Sequence, residues 1–563
     1  MHQLRHALRF ILCCVFACVP LIAASAEAER STRVDRLFAA WNRADAPGAV
    51  VAVLRDGRPV LTRAYGMANL EHGAPNTPAT VFHVASLSKQ FTACAIHLLA
   101  IDGKLSLDDE VAKHLPELQL PGPPITIRHL LHHTSGLRDQ WSLLMLAGLR
   151  LDDVITEGDI LGLLWRQRAL NFAPGEEELY SNSGYTLLAL IVKRVSGQSL
   201  NAFAQQRIFQ PLGMTSTHFH ESYGTLVKGR AHSYARAPEG WRYVALSYSN
   251  VGATSLMTTV EDLVRWNANF DEPKLGGAPL LAAMVQVGRL NNGRETTYAS
   301  GLVVRRYRGL LSVEHGGSDA GYRTHMLRIP QQRLAVVLLG NAADLNAGDL
   351  AHRIADLYLE DRDGMPRLEA SPAAAAEVEV SARTLAPYVG DFQMYPGFVL
   401  SFTAEGNRLM VQATGQPKFP MFASADDRFF LKVAPATVHF DAPAADGMSS
   451  TARWQQNGRD QPLRRIVRQL PPAAALKACE GEYYSDELRT LYRLALRDGK
   501  LMLSYPRGEV ELRAVSGDDF SANFPIGTIS LRRGANGACE GLAVTTGRVR
   551  NLAFRRVRLV PVS

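Results

Sequence analysis

Ser86 and Lys89 are the first residues of the chain whose types and spacing could do chemistry. They stand three positions apart at the start of an apolar run over residues 91–99, and an Asp-Gly stop signal follows, so the pattern predicts one helix. Residues at i and i+3 share a helix face, and a buried Lys must lose its proton or find a partner. A neutral Lys89 could therefore accept the proton of the Ser86 hydroxyl and make it a nucleophile.

A second motif joins Tyr180 and Asn182. It follows the turn signal Ala173-Pro174-Gly175 and directly precedes a predicted helix from about Ser183 to Val195. A Tyr hydroxyl can relay a proton, and an Asn amide can hydrogen-bond both a substrate carbonyl and a buried Lys. Taken alone, the same residues also fit a packed Tyr at a helix start with Asn or Ser as the cap.

A third motif, His315-Gly316-Gly317-Ser318, ends the apolar run over residues 310–313. Glycines at a strand end let a ligand approach the backbone, whose N–H groups can hold an oxyanion. Taken alone, the motif also fits a strand end with a surface His. A reference pKa of about 6.5 makes His315 mostly neutral at pH 7 and protonated below about pH 6.

The three motifs in this order resemble those of the penicillin-recognising serine hydrolases, a family of class C β-lactamases, DD-peptidases, esterases and D-aminopeptidases. The stretches over residues 126–137 and 251–259 are similar to that family as well, and the resemblance covers residues 33–360. It implies an enzyme that needs no cofactor and forms an acyl-enzyme on a serine.

The resemblance also implies a role for each motif residue. Ser86 would be the nucleophile and Lys89 its proton acceptor, while Tyr180 would serve the leaving group. The amide of Asn182 would position the substrate. Gly317 and Ser318 would contribute to the substrate and oxyanion site, which the backbone N–H groups of Ser86 and Ser318 form.

One departure from the family bears on the substrate. Many β-lactamases and DD-peptidases carry a Lys at the first position of the third motif, where its fixed charge binds a carboxylate. This chain has His315, so a permanent anchor for a carboxylate is weakened. Esterases and D-aminopeptidases resemble the chain better here, and β-lactam turnover becomes a minor alternative.

The helices and strands predicted around these motifs indicate an α+β domain over residues 33–360. Asp56-Gly57 indicates a hairpin near the start, and a strand meander over residues 300–307, 310–314, 322–329 and 334–341 follows the helical middle. A helix over residues 347–360 would close the domain. We expect an antiparallel sheet that is built from both ends of the domain and flanked by helices.

The remaining chain is a duplicated all-β segment. Residues 361–380 read as a linker rich in Ala, Pro, Glu and Asp, and Tyr388–Phe392 then recurs as Cys479–Tyr483. Matched positions are offset by 91 to 93 residues. Short alternating runs predict two small lipocalin-like barrels, over residues 381–468 and 476–563.

A serine hydrolase followed by two such barrels resembles the D-stereospecific aminopeptidases of bacteria. We therefore predict hydrolysis of small peptides, amides or esters, with release of N-terminal D-residues as the first choice. A carboxylesterase or a DD-peptidase/β-lactamase is the alternative, and a binding protein without catalysis is a further class that covalent labelling would separate.

Bulk features predict an exported enzyme. Residues 1–26 carry two Arg, an apolar stretch and an Ala-Ser-Ala cleavage site, which together are typical of a signal peptide and predict a periplasmic or secreted protein.

Removal of this signal peptide takes away two Arg and no acid, so the net charge falls from +7 to +5. That small excess does not favour a nucleic-acid partner, and no later segment is apolar for long enough to span a membrane. Lipidation of Cys18 and homo-oligomer formation stay open.

No metal site is predicted. His129, His132 and His133 lie close together in the chain, but no His-Glu-x-x-His pattern accompanies them. Cys479 and Cys539 could pair in an oxidising compartment, although spacing alone does not define their geometry.

Overall fold

The computed structural model describes residues 27–359, 377–395, 397–414, 416–434, 436–456, 459–468 and 471–558. The predicted leader and most of the predicted linker lie outside these ranges. Within them the chain forms two compact units. The first consists of residues 27–136, 151–161 and 172–359, and the second of residues 137–150, 162–171 and 377–558.

A six-stranded antiparallel sheet organises the first unit. The strands of this part of the chain are β1 Ala49–Arg55, β2 Arg58–Tyr65, β3 Met67–Asn69, β4 Ala74–Pro75, β5 Phe82–His83, β6 Ile155–Thr156, β7 His218–Phe219, β8 Tyr234–Ala237, β9 Gly240–Tyr243, β10 Tyr248–Ser249, β11 Leu256–Thr258, β12 Val303–Tyr307, β13 Leu310–Asp319, β14 Tyr322–Ile329 and β15 Leu334–Gly340. The sheet order is β12-β13-β14-β15-β1-β2. The predicted sheet from both ends of the domain is therefore confirmed.

Helices alternate with these strands along the chain. They are α1 over residues 27–37, α2 Ser88–Ile101, α3 Val111–His114, α4 Ile127–Leu131, α5 Gln140–Ala147, α6 Glu157–Leu164, α7 Asn182–Ser196, α8 Leu200–Ala204, α9 Gln210–Leu212, α10 Val260–Ala268, α11 Gly277–Val285 and α12 Ala347–Leu359. A 3-10 turn over Ala85–Leu87 precedes α2. Among the described helices, none combines the length and apolar character needed to cross a bilayer.

The apolar core on one face of the sheet explains why β1 reads as a continuous apolar run. Val51 on β1 and Val336 on β15 are fully buried, and they belong to one core cluster with Phe38 and with Ala351 and Ile354 of α12. β1 pairs with β15 on one edge and β2 on the other, and its residues from Ala49 to Leu54 are all buried. Both faces of the strand are therefore covered, and the alternation of apolar and polar residues is lost. This packing fixes the sheet on which the third motif lies.

The strand that carries the third motif is longer than the prediction. The expected strand ends at residue 314, whereas β13 continues to Asp319, which pairs with Tyr322 at the turn into β14. The two glycines of the motif therefore lie inside the strand, because pairing with β14 supplies the hydrogen bonds that keep the backbone extended.

Two closed antiparallel barrels follow, as predicted from the repeat. Their strands are β16 Gly390–Tyr395, β17 Phe398–Glu405, β18 Arg408–Ala413, β19 Lys418–Ala425, β20 Arg428–Leu431, β21 Ala436–Phe440, β22 Thr451–Gln456 and β23 Arg459–Ile466 in the first, and β24 Gly481–Ser485, β25 Thr490–Arg497, β26 Lys500–Tyr505, β27 Gly508–Ser516, β28 Asp519–Ser521, β29 Thr528–Arg533, β30 Cys539–Thr546 and β31 Val549–Val557 in the second. Short helices α13 Ala382–Leu385 and α14 Ala473–Lys477 precede them. Cys479 and Cys539 are both buried thiols.

The second unit also contains α5, which is distant from the barrels in sequence. Arg138, just before α5, is 1% exposed and forms an ion pair with Glu487 after β24. The hydroxyl of Tyr492 donates to the carbonyl of Leu146 at 2.9 Å. A buried Arg needs such a partner, so this segment depends on the second barrel for its packing.

Candidate active site

Ser86 lies in a tight turn between β5 and α2. Every residue from Val81 to Gln90 is buried except Ser86, which is partly exposed. Ala85 before it adopts a positive φ of 50°, a conformation that L-residues with a side chain seldom adopt. The Ser88 hydroxyl donates to the Ala85 carbonyl at 2.6 Å, which holds the turn closed. The sequence thus presents one hydroxyl to solvent from an otherwise buried and constrained segment.

Lys89 is fully buried and its amine lies among three oxygen atoms. Nζ is 3.1 Å from Ser86 Oγ, 2.9 Å from Asn182 Oδ1 and 2.7 Å from the Ala253 carbonyl oxygen. The amide and carbonyl oxygens can only accept hydrogen bonds. A neutral amine would donate its two N–H groups to these two oxygens, and its lone pair would face the Ser86 hydroxyl. This geometry suits abstraction of the serine proton.

The second motif lies beside this amine. The Tyr180 ring centroid is 4.9 Å from Lys89 Nζ and 4.2 Å from the centroid of the His133 ring. His133 Nδ1 also accepts a hydrogen bond at 3.2 Å from the backbone N–H of Ser181, just before α7. His133 therefore helps to hold Tyr180 and the backbone of Ser181, a function that the sequence did not indicate.

His315 of the third motif is 5% exposed and hydrogen-bonded through both ring nitrogens. Nδ1 lies 2.7 Å from the Gly316 carbonyl, which can only accept, so Nδ1 carries the proton and Nε2 accepts from the Tyr298 hydroxyl at 2.9 Å. Burial, together with the charge of Lys89, lowers the pKa of His315 to about 3. The expectation that His315 protonates below about pH 6 is therefore wrong, because that expectation assumed a solvated ring.

The third motif packs directly against the turn that carries Ser86. A Cβ added to Gly317 would overlap the Val84 carbonyl oxygen and lie 3.1 Å from Ala85 Cβ, so only glycine fits. The Thr324 hydroxyl of β14 donates to the same Val84 carbonyl at 3.0 Å. Beyond Glu314, β13 has no register with β12, which leaves its edge open beside Ser318. The arrangement suits an oxyanion site made of backbone N–H groups.

A carboxylate on the same face of β13 was not predicted. Asp319 is four residues after His315 and shares its side of the strand, because side chains alternate along a strand. Its carboxylate accepts a hydrogen bond from the hydroxyl of Thr254, the neighbour of Ala253. Burial raises the pKa of Asp319 to about 6, although the Thr254 hydrogen bond and the charge of Lys89 oppose the rise.

The structure thus brings together Ser86, Lys89, Tyr180, Asn182 and His315, with Gly317 and Ser318 alongside the turn. Sequence reasoning missed Tyr298 and Asp319, since no local motif marks either residue.

The three histidines considered as zinc ligands in the sequence, His129, His132 and His133, make other contacts. His129 Nδ1 accepts from the Thr126 N–H at the start of α4, and His132 Nδ1 lies 3.2 Å from the Tyr298 carbonyl oxygen. Within the described residues they do not form a group with metal-ligand geometry.

Comparisons with known proteins identify the family to which residues 34–360 are similar. The family model described as Beta-lactamase matches residues 34–360. A D-aminopeptidase of Gluconobacter oxydans (strain 621H) is 27% identical over 405 residues, which cover 68% of this chain and 77% of the relative. Penicillin-binding protein 4* of Bacillus subtilis (strain 168) is 29% identical over 420 residues, which cover 71% of this chain and 91% of the relative. The octameric penicillin-binding protein homologue from Pyrococcus abyssi has a similar fold, with a TM-score of 0.53 and 21% identity over 87% of this chain and 98% of its own.

Proposed function

Because the chain belongs to the Beta-lactamase family, we propose that it is a serine hydrolase that releases N-terminal D-residues from small peptides and amides. The observation that carries the proposal is the buried amine of Lys89, 3.1 Å from Ser86 Oγ and fixed by two oxygens that can only accept. The D-aminopeptidase name of the Gluconobacter oxydans relative supports the substrate class.

In the proposed reaction the Ser86 proton passes to Lys89 Nζ while Oγ attacks the substrate carbonyl carbon. The backbone N–H groups of Ser86 and Ser318 stabilise the oxyanion. Tyr180 gives a proton to the leaving amine, and Asn182 holds the acyl portion. Loss of the amine breaks the substrate C–N bond and leaves an ester on Ser86. Water then attacks this ester and gives a proton to the Tyr180 oxygen, and Lys89 returns the proton it holds to Ser86 Oγ as the acyl C–O bond breaks.

The charges around the site favour a substrate with a free amino group. A neutral His315 offers no fixed positive charge to a substrate carboxylate, which weakens the case for β-lactams and for C-terminal carboxylates. The carboxylate of Asp319, on the same strand face, suits an α-ammonium group. An uncharged ester fits the neutral His315 equally well, so carboxylesterase activity is the second candidate.

The test is a parallel set of rates with the full chain. D-alanine p-nitroanilide, its L-enantiomer, its N-acetyl derivative, p-nitrophenyl acetate and a chromogenic cephalosporin are compared by kcat/KM. We expect the free D-amide to be preferred over its L and N-acetyl forms. A preference for the ester or the N-acetyl amide would overturn the aminopeptidase assignment and retain a serine hydrolase.

Matched variants test the chemistry itself. Ser86→Ala should abolish burst acylation, and Lys89→Ala should lower kcat by orders of magnitude. Lys104→Ala, an exposed lysine just after α2, serves as the control. Equal rates for Lys89→Ala and Lys104→Ala would refute the role given to Lys89.

We also propose that residues 1–26 direct export and are cleaved near Ala26, so that the enzyme acts on small peptides, amides or esters in the periplasm or outside the cell. N-terminal sequencing of the enzyme from a periplasmic fraction tests this. An intact N-terminus would refute it.

A further inference from the structure

Three possible metal ligands meet on the face of the sheet opposite His315. Glu314 precedes His315 on β13 and so points to the other side of the strand. His325 on β14 pairs with Gly316 and therefore shares the face of Glu314. His352 lies on α12, which packs against this side of the sheet. These residues take no part in the proposed hydrolysis.

The two imidazoles converge on one carboxylate oxygen. Glu314 Oε2 is 2.9 Å from His325 Nε2 and 3.4 Å from His352 Nε2, and all three atoms lie within 4.8 Å of one another. Zinc–nitrogen and zinc–oxygen bonds of about 2.0–2.2 Å place neighbouring ligands of a tetrahedral ion about 3.3 Å apart. The two distances from Glu314 Oε2 to the histidine nitrogens, 2.9 and 3.4 Å, are close to that value.

The hydrogen bond of the other His352 nitrogen determines which atom faces the carboxylate. Nδ1 lies 2.8 Å from the carbonyl oxygen of Gly348, which can only accept, so Nδ1 carries a proton. In the neutral ring Nε2 then carries a lone pair that faces Glu314 Oε2. This lone pair and those of the carboxylate oxygen repel each other. Either a proton or a metal ion between them removes the conflict. A carbonyl that fixes the ring in this way is the usual support of a metal-bound histidine.

The other neighbours of Glu314 contact Oε1, so that Oε2 has only the two histidines as its described partners. Arg305 pairs with Glu314 Oε1, and the Ser312 hydroxyl is 3.3 Å from the same atom, so both hold the carboxylate with Oε2 towards the histidines. Gly316 makes room for the His325 ring, because a Cβ there would lie 3.3 Å from His325 Nδ1 and force the ring to shift.

We propose that Glu314, His325 and His352 form a zinc site, with water as the fourth ligand. Two imidazoles and a carboxylate are a donor set that zinc prefers, and the His352 side chain is 19% exposed, which gives solvent a path to the ion. The bound ion would link β13, β14 and α12. It would therefore stabilise β13, which continues into the third motif. Its role is structural support of that strand and not contact with the substrate.

The test measures zinc binding by the full chain. The protein is stripped with a chelator, titrated with Zn²⁺ by calorimetry, and loaded with Co²⁺ to read the coordination from its visible spectrum. We expect one ion per chain, a tetrahedral cobalt spectrum and a raised unfolding midpoint with zinc. His352→Gln should weaken binding at least 100-fold and remove the shift of the midpoint.

Two further variants make each outcome decisive. Glu314→Gln retains the shape of the side chain and should also abolish binding, whereas His72→Gln, an exposed histidine, should bind as the parent does. Circular dichroism establishes that each variant is folded. The proposal fails if the parent shows no saturable binding, if His352→Gln and the parent bind equally, or if nuclear magnetic resonance finds His352 Nε2 still protonated in excess zinc. That last result would make a proton the occupant of the cluster.

Discussion

Gly301, just before β12, offers the sharpest test of how the nucleophile helix is positioned. It has a φ of 73°, and a Cβ built on it would lie 2.6 Å from both the carbonyl carbon of Lys89 and the backbone nitrogen of Gln90. Ordinary contact begins at 3.4 Å, so in Gly301→Ala the start of α2 must retreat by about 0.8 Å. Such a shift would stretch the 2.9 Å contact of Lys89 with Asn182 beyond hydrogen-bond range.

The effect on rate and stability follows from that displacement. A misplacement of about 1 Å in an active site can lower a rate about 100-fold, so we expect acylation to slow by roughly 10- to 100-fold. The positive φ costs an Ala about 1 kcal/mol and overpacking about 1–3 kcal/mol more, which lowers the free energy of unfolding by about 2–4 kcal/mol.

Gly309→Ala is the matched control. Gly309 has a φ of 77° in the turn between β12 and β13, but nothing lies within 4 Å of a Cβ added there. It should lose only about 1 kcal/mol and acylate at the parent rate. The assay is the burst of p-nitrophenolate from an activated ester, at a temperature where circular dichroism shows both variants folded. If Gly301→Ala acylates within about threefold of Gly309→Ala, the proposed displacement of Lys89 is wrong.

Three further predictions address residues outside the motifs. Glu487→Gln should lower the free energy of unfolding by about 3–5 kcal/mol in urea titrations, because it removes the carboxylate charge that pairs with the buried Arg138. Asp486→Asn, from an exposed pair, should change the free energy of unfolding by less than about 1 kcal/mol. The folded-state pKa of Asp319, about 6, exceeds its ordinary value of 3.8, so its charge destabilises the fold at pH 7 and the penalty is relieved as the pH falls through 6. Asp319→Asn should therefore raise stability at pH 7 by up to about 3 kcal/mol and flatten the pH dependence of stability between about pH 4 and pH 6; an unchanged slope would refute this. Tyr298→Phe removes the donor to the third-motif histidine and should slow acylation about tenfold, with a stability loss of about 1–3 kcal/mol; parent-like acylation would argue against this role.

The sheet and the two barrels were predictable because each depends on local patterns. The alternating and apolar runs around Asp56-Gly57 and over residues 322–329 indicate which strand faces are buried. The repeat that begins at Tyr388 and again at Cys479 indicates the duplicated barrels. The predicted helix begins later than expected, because Ser86 lies in the 3-10 turn before α2. The spacing of three residues still brings Ser86 Oγ within 3.1 Å of Lys89 Nζ.

Other features depend on contacts between distant segments and could not be read from the sequence. Tyr298 and Asp319 enter the site through the packing of β12, β13 and the loop after β10, and neither has a neighbouring signature. The assignment of α5 to the second unit rests on Arg138 and Glu487, which are 349 residues apart. The length of β13 was underestimated because Gly316 and Gly317 usually mark a strand end, whereas pairing with β14 overrides that local preference.

The environment of His315 also explains why a single substitution should not convert this site into one that binds carboxylates. A Lys at position 315 would replace a neutral ring that accepts from Tyr298, and its ammonium group would lie within electrostatic reach of Lys89 when Lys89 takes up the Ser86 proton. Like charges in a buried site disfavour each other, so one amine would lose its proton or the local fold would open. The Tyr298 hydroxyl would also lose its acceptor. A cationic third motif therefore requires a different group at position 298 and more solvent around the strand, which makes His315 and Tyr298 one functional pair that sets the charge preference of the site.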